Sequence, residues 1–189
     1  MPKGFIRWYQ ESTPVSKLDN QVNFFRERGI HLTHPALGTP LVLDVEGNDI
    51  PVEQEELDRL LSIRIASFSV NWWLSANVNL VDRYSFSPIG FDIQTIRLDG
   101  LDAQETQLTE TTLQEIALDP LTATRSLIID RHGSSDPEQW DSITMYDGET
   151  VPTIPDIVIT HPEVAEKIRR AAPALTRREL GGGLSLLTR

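Results

Sequence analysis

The stretch from residue 63 to residue 98 constrains the fold of this chain more than any other. Ala66, Phe68, Val70, Trp72 and Leu74 alternate with Ser67, Ser69, Asn71, Trp73 and Ser75, the period-two pattern of a strand with one covered face. Val78, Leu80, Tyr84 and Phe86 repeat it, although Asp82 interrupts the apolar face and Val81 intrudes on the other. A third run opens with Ile89, Phe91 and Ile93, then changes phase so that Ile96 and Leu98 carry the apolar side. A slip of one residue inverts the faces of a strand, so this change predicts a bulge near Gln94-Thr95. The links at Ser75-Ala76-Asn77 and Ser87-Pro88 are too short for crossovers, which makes the three runs an antiparallel meander.

Around the meander the pattern is mixed. Residues 4–10 read as a short strand. A helix follows, with Thr13 as N-cap, Pro14 at its first position, Leu18, Val22 and Phe25 on one face, and Gly29 as its stop. Residues 41–45 form a strand that ends in the turn at residues 46–49. A second helix over residues 52–61 carries Glu53, Glu55 and Glu56 at its positive end and buries Leu57, Leu60 and Leu61. Asp102 and Glu105 make a capping box for a third helix with Leu108, Leu113 and Ile116 inward. Residues 126–129 and 156–160 read as strands, residues 143–146 as a weaker one, Pro162 opens a fourth helix, and a last strand spans residues 184–187. The expected fold is a single α+β domain over residues 1–189. Its largely antiparallel sheet is centred on the meander, with four helices packed mainly on one face.

The chain has 189 residues and a 39% hydrophobic, 24% charged composition, enough to fold without a metal or disulfide staple. It has no cysteine, which removes disulfides, thiolate zinc, iron–sulfur clusters and thiol nucleophiles and suits a reducing, cytoplasmic compartment. No run approaches a membrane span, and Arg7 interrupts the apolar start that a signal peptide needs. The net charge is −11 and unevenly placed: residues 1–160 hold 11 Lys+Arg against 25 Asp+Glu, and residues 161–189 hold 6 against 3. An acidic body of this kind repels nucleic-acid backbones and attracts basic proteins.

The most enzyme-like patch is Asp130-Arg131-His132-Gly133-Ser134-Ser135-Asp136, directly after a buried strand. There His132 is a candidate base, oriented by Asp130 or Asp136, for a small hydrolase or transferase. The plainer reading is a polar exit loop, since no matching nucleophile elbow occurs. His31-Leu32-Thr33-His34 has metal-like spacing, with His132 and His161 elsewhere, but no helix brings the pair together, so neither metal nor cofactor is expected. The run from Asp44 to Glu55 fails as a calcium loop, with Asp49 where glycine is required. Gly181-Gly182-Gly183 lacks the lysine and helix of a phosphate loop.

The seven carboxylates from Asp44 to Asp58, uninterrupted by lysine or arginine, are either a solvated face or a docking surface. Trp73 shares the side of Ser69, Asn71 and Ser75, so it is either covered by another element or an exposed interface aromatic. Three functions follow. The first is a non-enzymatic acidic module that docks a basic protein through Asp49, Glu53, Glu55, Glu56 and Trp73, a profile that would suit a toxin-neutralising immunity protein. The second is the His132 hydrolase or transferase, and the third a self-associating structural subunit.

Overall fold

A computed structural model describes residues 4–13, 17–64 and 67–189. Ten strands form one sheet. In chain order they are β1 (Phe5–Glu11), β2 (Leu41–Leu43), β3 (Asp49–Pro51), β4 (Phe68–Ser75), β5 (Val78–Ser87), β6 (Phe91–Arg97), β7 (Thr124–Asp130), β8 (Ile157–Thr160), β9 (Thr176–Glu179) and β10 (Ser185–Thr188). The spatial order is β3-β2-β4-β5-β6-β1-β7-β8-β10-β9, and every neighbouring pair is antiparallel. The meander supplies three consecutive strands, the last of which, β6, forms the middle pair with β1.

The described α-helices number five, and they cover both faces, which corrects the expectation of four mainly on one. α1 (Leu18–Arg26), α2 (Gln54–Ile63) and α3 (Ala103–Ala117) lie on one face, where Leu18, Phe25, Leu57, Leu113 and Ile116 join Trp8, Val70, Trp72 and Leu127 in the larger core. The rings of Phe25 and Trp72 meet edge-on at 4.8 Å, which contributes about 0.5–1.5 kcal/mol beyond their burial. α4 (Asp141–Met145) and α5 (Pro162–Ala171) lie on the other face. There Trp140, Ile143, Val164 and Ile168 pack on Phe5, Tyr9, Ile93 and Ile128. A second covering layer is available because β1, β6 and β7 bury residues of both alternating sets.

This two-sided cover explains the phase change in β6. Its register against β1 and β5 runs unbroken through Gln94 and Thr95. The expected bulge is absent there, and irregularities fall instead between Trp73 and Ser75 and between Tyr9 and Gln10. Ile93 belongs to one core and Ile96 to the other, so the apolar residues change sides because the sheet has two dry sides.

Other local expectations are also redrawn. α1 starts after Lys17 rather than Thr13, and Pro14, like Ala66, lies outside the described residues. Gly29 stops the helix with a φ of +81°. α3 opens on the capping box of Asp102 and Glu105. Its inward face is set by Thr109, Thr112, Leu113 and Ile116, so that Leu108 is turned out. Residues 143–146 are helical rather than extended, and β3 and β9 were not foreseen. Among the described residues no helix is long and apolar enough to cross a membrane.

Candidate functional site

The loop after β7 does not assemble a catalytic pair. Asp130 is fully buried, and its carboxylate accepts from the backbone N–H groups of His132 (3.2 Å), Ser134 (3.0 Å) and Ser135 (2.9 Å) and from the hydroxyls of Ser134 (2.9 Å) and Ser135 (3.0 Å). Burial raises the Asp130 pKa, but these donors outweigh it and hold the group below its ordinary value. The carboxylate is therefore spent on folding the loop. The His132 ring is 82% exposed, its Nε2 4.0 Å from Asp156, and Asp136 opens the short 3₁₀ turn Pro137–Trp140, its N–H reaching Gln139. His132→Ala is expected to change stability by less than about 0.5 kcal/mol, as befits a surface side chain without a buried partner. A urea midpoint that moves well beyond that would show a structural role for the ring.

The remaining histidines have local duties. His31 bridges to Trp73 through backbone bonds of 2.8 and 2.7 Å, Nδ1 of His34 accepts from the N–H groups of Ala36 and Leu37, and His161 precedes α5 as its N-cap. Among the described residues no group of three histidine, aspartate or glutamate side chains could hold a metal ion.

Asp44, Glu46 and Asp49 lie on the β2–β3 hairpin at one end of the sheet, and Glu53, Glu55, Glu56 and Asp58 follow at the start of α2 and along it. Asp44 shapes the β2–β3 turn by accepting from Glu46 N–H (2.9 Å), Asn48 N–H (2.8 Å) and Asn48 Nδ2 (3.0 Å). The bonds from Asn48 hold its pKa below the ordinary value. The turn leaves Val45 fully exposed and Ile50 partly so. Asp49 accepts from Asn71 Nδ2 at 2.6 Å. Glu56 is paired with Arg59 at 2.7 and 2.6 Å, whereas Glu53 and Glu55 stand exposed and unpaired among the described residues. Trp73 is 6% exposed, packed edge-on against His34 at 4.2 Å. It is the covered aromatic of the two alternatives, hidden by the loop over residues 31–40, and is not an accessible contact.

A cavity of about 100 Å³ lies on the larger-core face, and sequence reasoning missed it. Its floor comes from one face of three adjacent strands: Tyr84 and Phe86 of β5, Asp92 and Gln94 of β6, and Gln10 of β1. Leu18 and Gln21 of α1 and Leu61 of α2 wall it, with Lys17 and Arg64 at its mouth. The amides of Gln21 and Gln94 donate to each other at 3.0 Å, and the Tyr84 hydroxyl donates to Gln21 Oε1 at 3.3 Å. Arg64 Nε lies 3.1 Å from Asp92, which also accepts from Ser12 Oγ at 2.7 Å. The missed signal was present in the sequence, since Asp92 and Gln94 are the polar residues that made β6 look out of phase. Compared with family models, curated proteins and solved structures, the chain matches none.

Proposed function

We propose that this chain is a non-enzymatic docking protein that takes a basic protein partner on the edge formed by β2, β3 and α2. The supporting observation is the local charge: seven carboxylates from Asp44 to Asp58, with Arg59 the single cation up to Ile63. Among the described residues Glu53 and Glu55 have no side-chain partner, and the apolar Val45 and Ile50 are exposed on the preceding β2–β3 hairpin. Concentrated charge of one sign raises the rate of encounter with an opposite surface, and exposed apolar residues supply contact area once the partner is seated. A toxin-neutralising immunity protein is one member of this class.

The double reversal Glu53→Lys/Glu55→Lys is expected to weaken association with a basic partner at least tenfold at low salt and to flatten its salt dependence. Glu163→Lys at the start of α5, with half the change in net charge, serves as a control on another element. The measurement is affinity at two ionic strengths for a basic protein that co-purifies with the chain. Binding that ignores salt, or that survives the double reversal, sinks the proposal.

Self-association remains a second reading because the opposite edge of the sheet, β9, carries Arg178 without a carboxylate partner among the described residues, while Arg177 is held by Glu166 and Glu179. A second copy could offer that edge to the acidic one. Molecular mass in low-salt solution, measured on the chain alone, separates the two readings.

A further inference from the structure

Asp82 sits in the larger core with no basic partner among the described residues. It is fully buried on β5; Trp72 Nε1 donates to Oδ2 at 3.2 Å, while Oδ1 has no partner. Buried polar atoms are ordinarily satisfied. In its acid form the carboxyl carries a hydrogen of its own, whereas a carboxylate only accepts and needs donors for both oxygens.

Tyr84 stands two residues further along the same face of β5. Its buried hydroxyl donates to Gln21 Oε1 of α1 at 3.3 Å, which ties the strand to the helix. A phenol has one hydrogen to give. Burial, and after it the charge of Asp82, push the Tyr84 pKa well above its ordinary value, so the hydroxyl keeps that hydrogen at neutral pH. Gln21 has the lesser need of it, because its amide also exchanges two bonds of 3.0 Å with Gln94.

Charge decides between the two acceptors, since a hydrogen bond to an ionised group is roughly twice as strong as a neutral one. No other charged group on this side of the sheet intervenes. Glu110 of α3 is paired with Arg131 at 2.7 Å, and Lys17 and Arg64 flank Asp92 at the cavity mouth at 3.9 and 3.1 Å. From α1, α2, β4 and β6 this core receives Phe25, Leu57, Trp72 and Ile96, all uncharged.

We infer that Asp82 and Tyr84 form a proton-operated latch on α1. With the Asp82 carboxyl protonated, the phenolic hydrogen goes to Gln21 and holds the helix to β5. With the carboxylate ionised, the same hydrogen turns to Oδ1 and that tie is released. The proton leaves to solvent and no covalent bond other than its own changes. The latch uses none of the residues of the docking edge.

The test is a pH titration of the full chain from about pH 5.5 to about pH 8.5, which spans the value of about 7 to which burial raises the Asp82 carboxyl. The signals followed by NMR are the Asp82 carboxyl carbon and the Gln21 side-chain amide. Both should move with one midpoint. In Asp82→Asn, which mimics the acid form, the Gln21 amide should stay still. In Tyr84→Phe it should also stay still, while the Asp82 midpoint moves upward because the ionised form has lost its donor. A carboxyl that does not titrate in this range, or one that titrates while Gln21 stays still, would overturn the inference. So would a Gln21 shift that persists in Asp82→Asn, or an Asp82 midpoint that Tyr84→Phe leaves in place.

Discussion

Asp82→Asn is expected to make the protein more stable at pH 8 by up to about 4 kcal/mol and to leave it nearly unchanged near pH 4. Asp82 lies on the core face of β5, fully buried, with Trp72 Nε1 donating to Oδ2 at 3.2 Å and Oδ1 unpartnered. Burial raises its pKa from 3.8 to about 7, with the Trp72 hydrogen bond pulling the other way. Below the unfolded value both states carry the proton and folding costs nothing extra. As the pH rises, the unfolded chain ionises first, so stability falls steadily until the folded group also titrates, about three units higher at roughly 1.4 kcal/mol per unit. Asparagine keeps an acceptor for Trp72, cannot ionise, and gains an N–H that Tyr84 can accept. Urea midpoints of both proteins at pH 4.5 and pH 8 supply the measurement. Depressed carboxyls such as Asp130 and Asp147 produce the opposite slope in acid, but they are common to both proteins and cancel in the difference. An unchanged gap between the two proteins across this range would reject the argument.

Asp141→Ala is expected to cost roughly 3–5 kcal/mol, the range for stranding one member of a buried ion pair. Oδ1 of Asp141 accepts from Arg7 Nη2 at 2.7 Å, Arg7 Nε at 3.1 Å and the Tyr9 hydroxyl at 2.6 Å. The Arg7 side chain is 4% exposed, keeps a bond to Thr95 Oγ1 at 2.6 Å, and has Glu138 no nearer than 4.0 Å. Without Asp141 its charge is held in the sheet with no close carboxylate. The same bonds tie α4 to β1, so the loss should also loosen Trp140 and Ile143 from the smaller core. The discriminating comparison is Arg7→Met/Asp141→Leu, which removes both charges and should lose less than Asp141→Ala alone. If the double variant is the worse of the two, the penalty comes from packing and not from a stranded guanidinium.

Legibility in the sequence followed how local each signal was. The capping box of α3 and the Pro162 start of α5 depend on a few neighbouring residues, and both elements formed there. The meander was legible because β4 and β5 have one apolar side. β3 and β9 were not, since Asp-Ile-Pro and Thr-Arg-Arg-Glu have no strand pattern of their own and are extended because β2 and β10 pair with them. Leu108 was misplaced by choosing an apolar residue over the helical face that Thr109 and Thr112 share. The His132 patch looked chemical because Asp, Ser and Gly serve turns and active sites alike, and only the bonds to Asp130 separate the two. The cavity was hidden because Gln10 and Gln94 are far apart in sequence and become neighbours only across the β1–β6 ladder.

The position of β1 bears on how the molecule reaches its shape. Its ladder partners are residues 91–97 on one side and 124–130 on the other, so two large loops must close before the middle of the sheet exists. Such remote pairing slows folding far more than it weakens the finished structure. Until both partners arrive, Ile6 and Trp8 have no covered face to occupy, and newly made chain carries a sticky, unfinished edge during that wait.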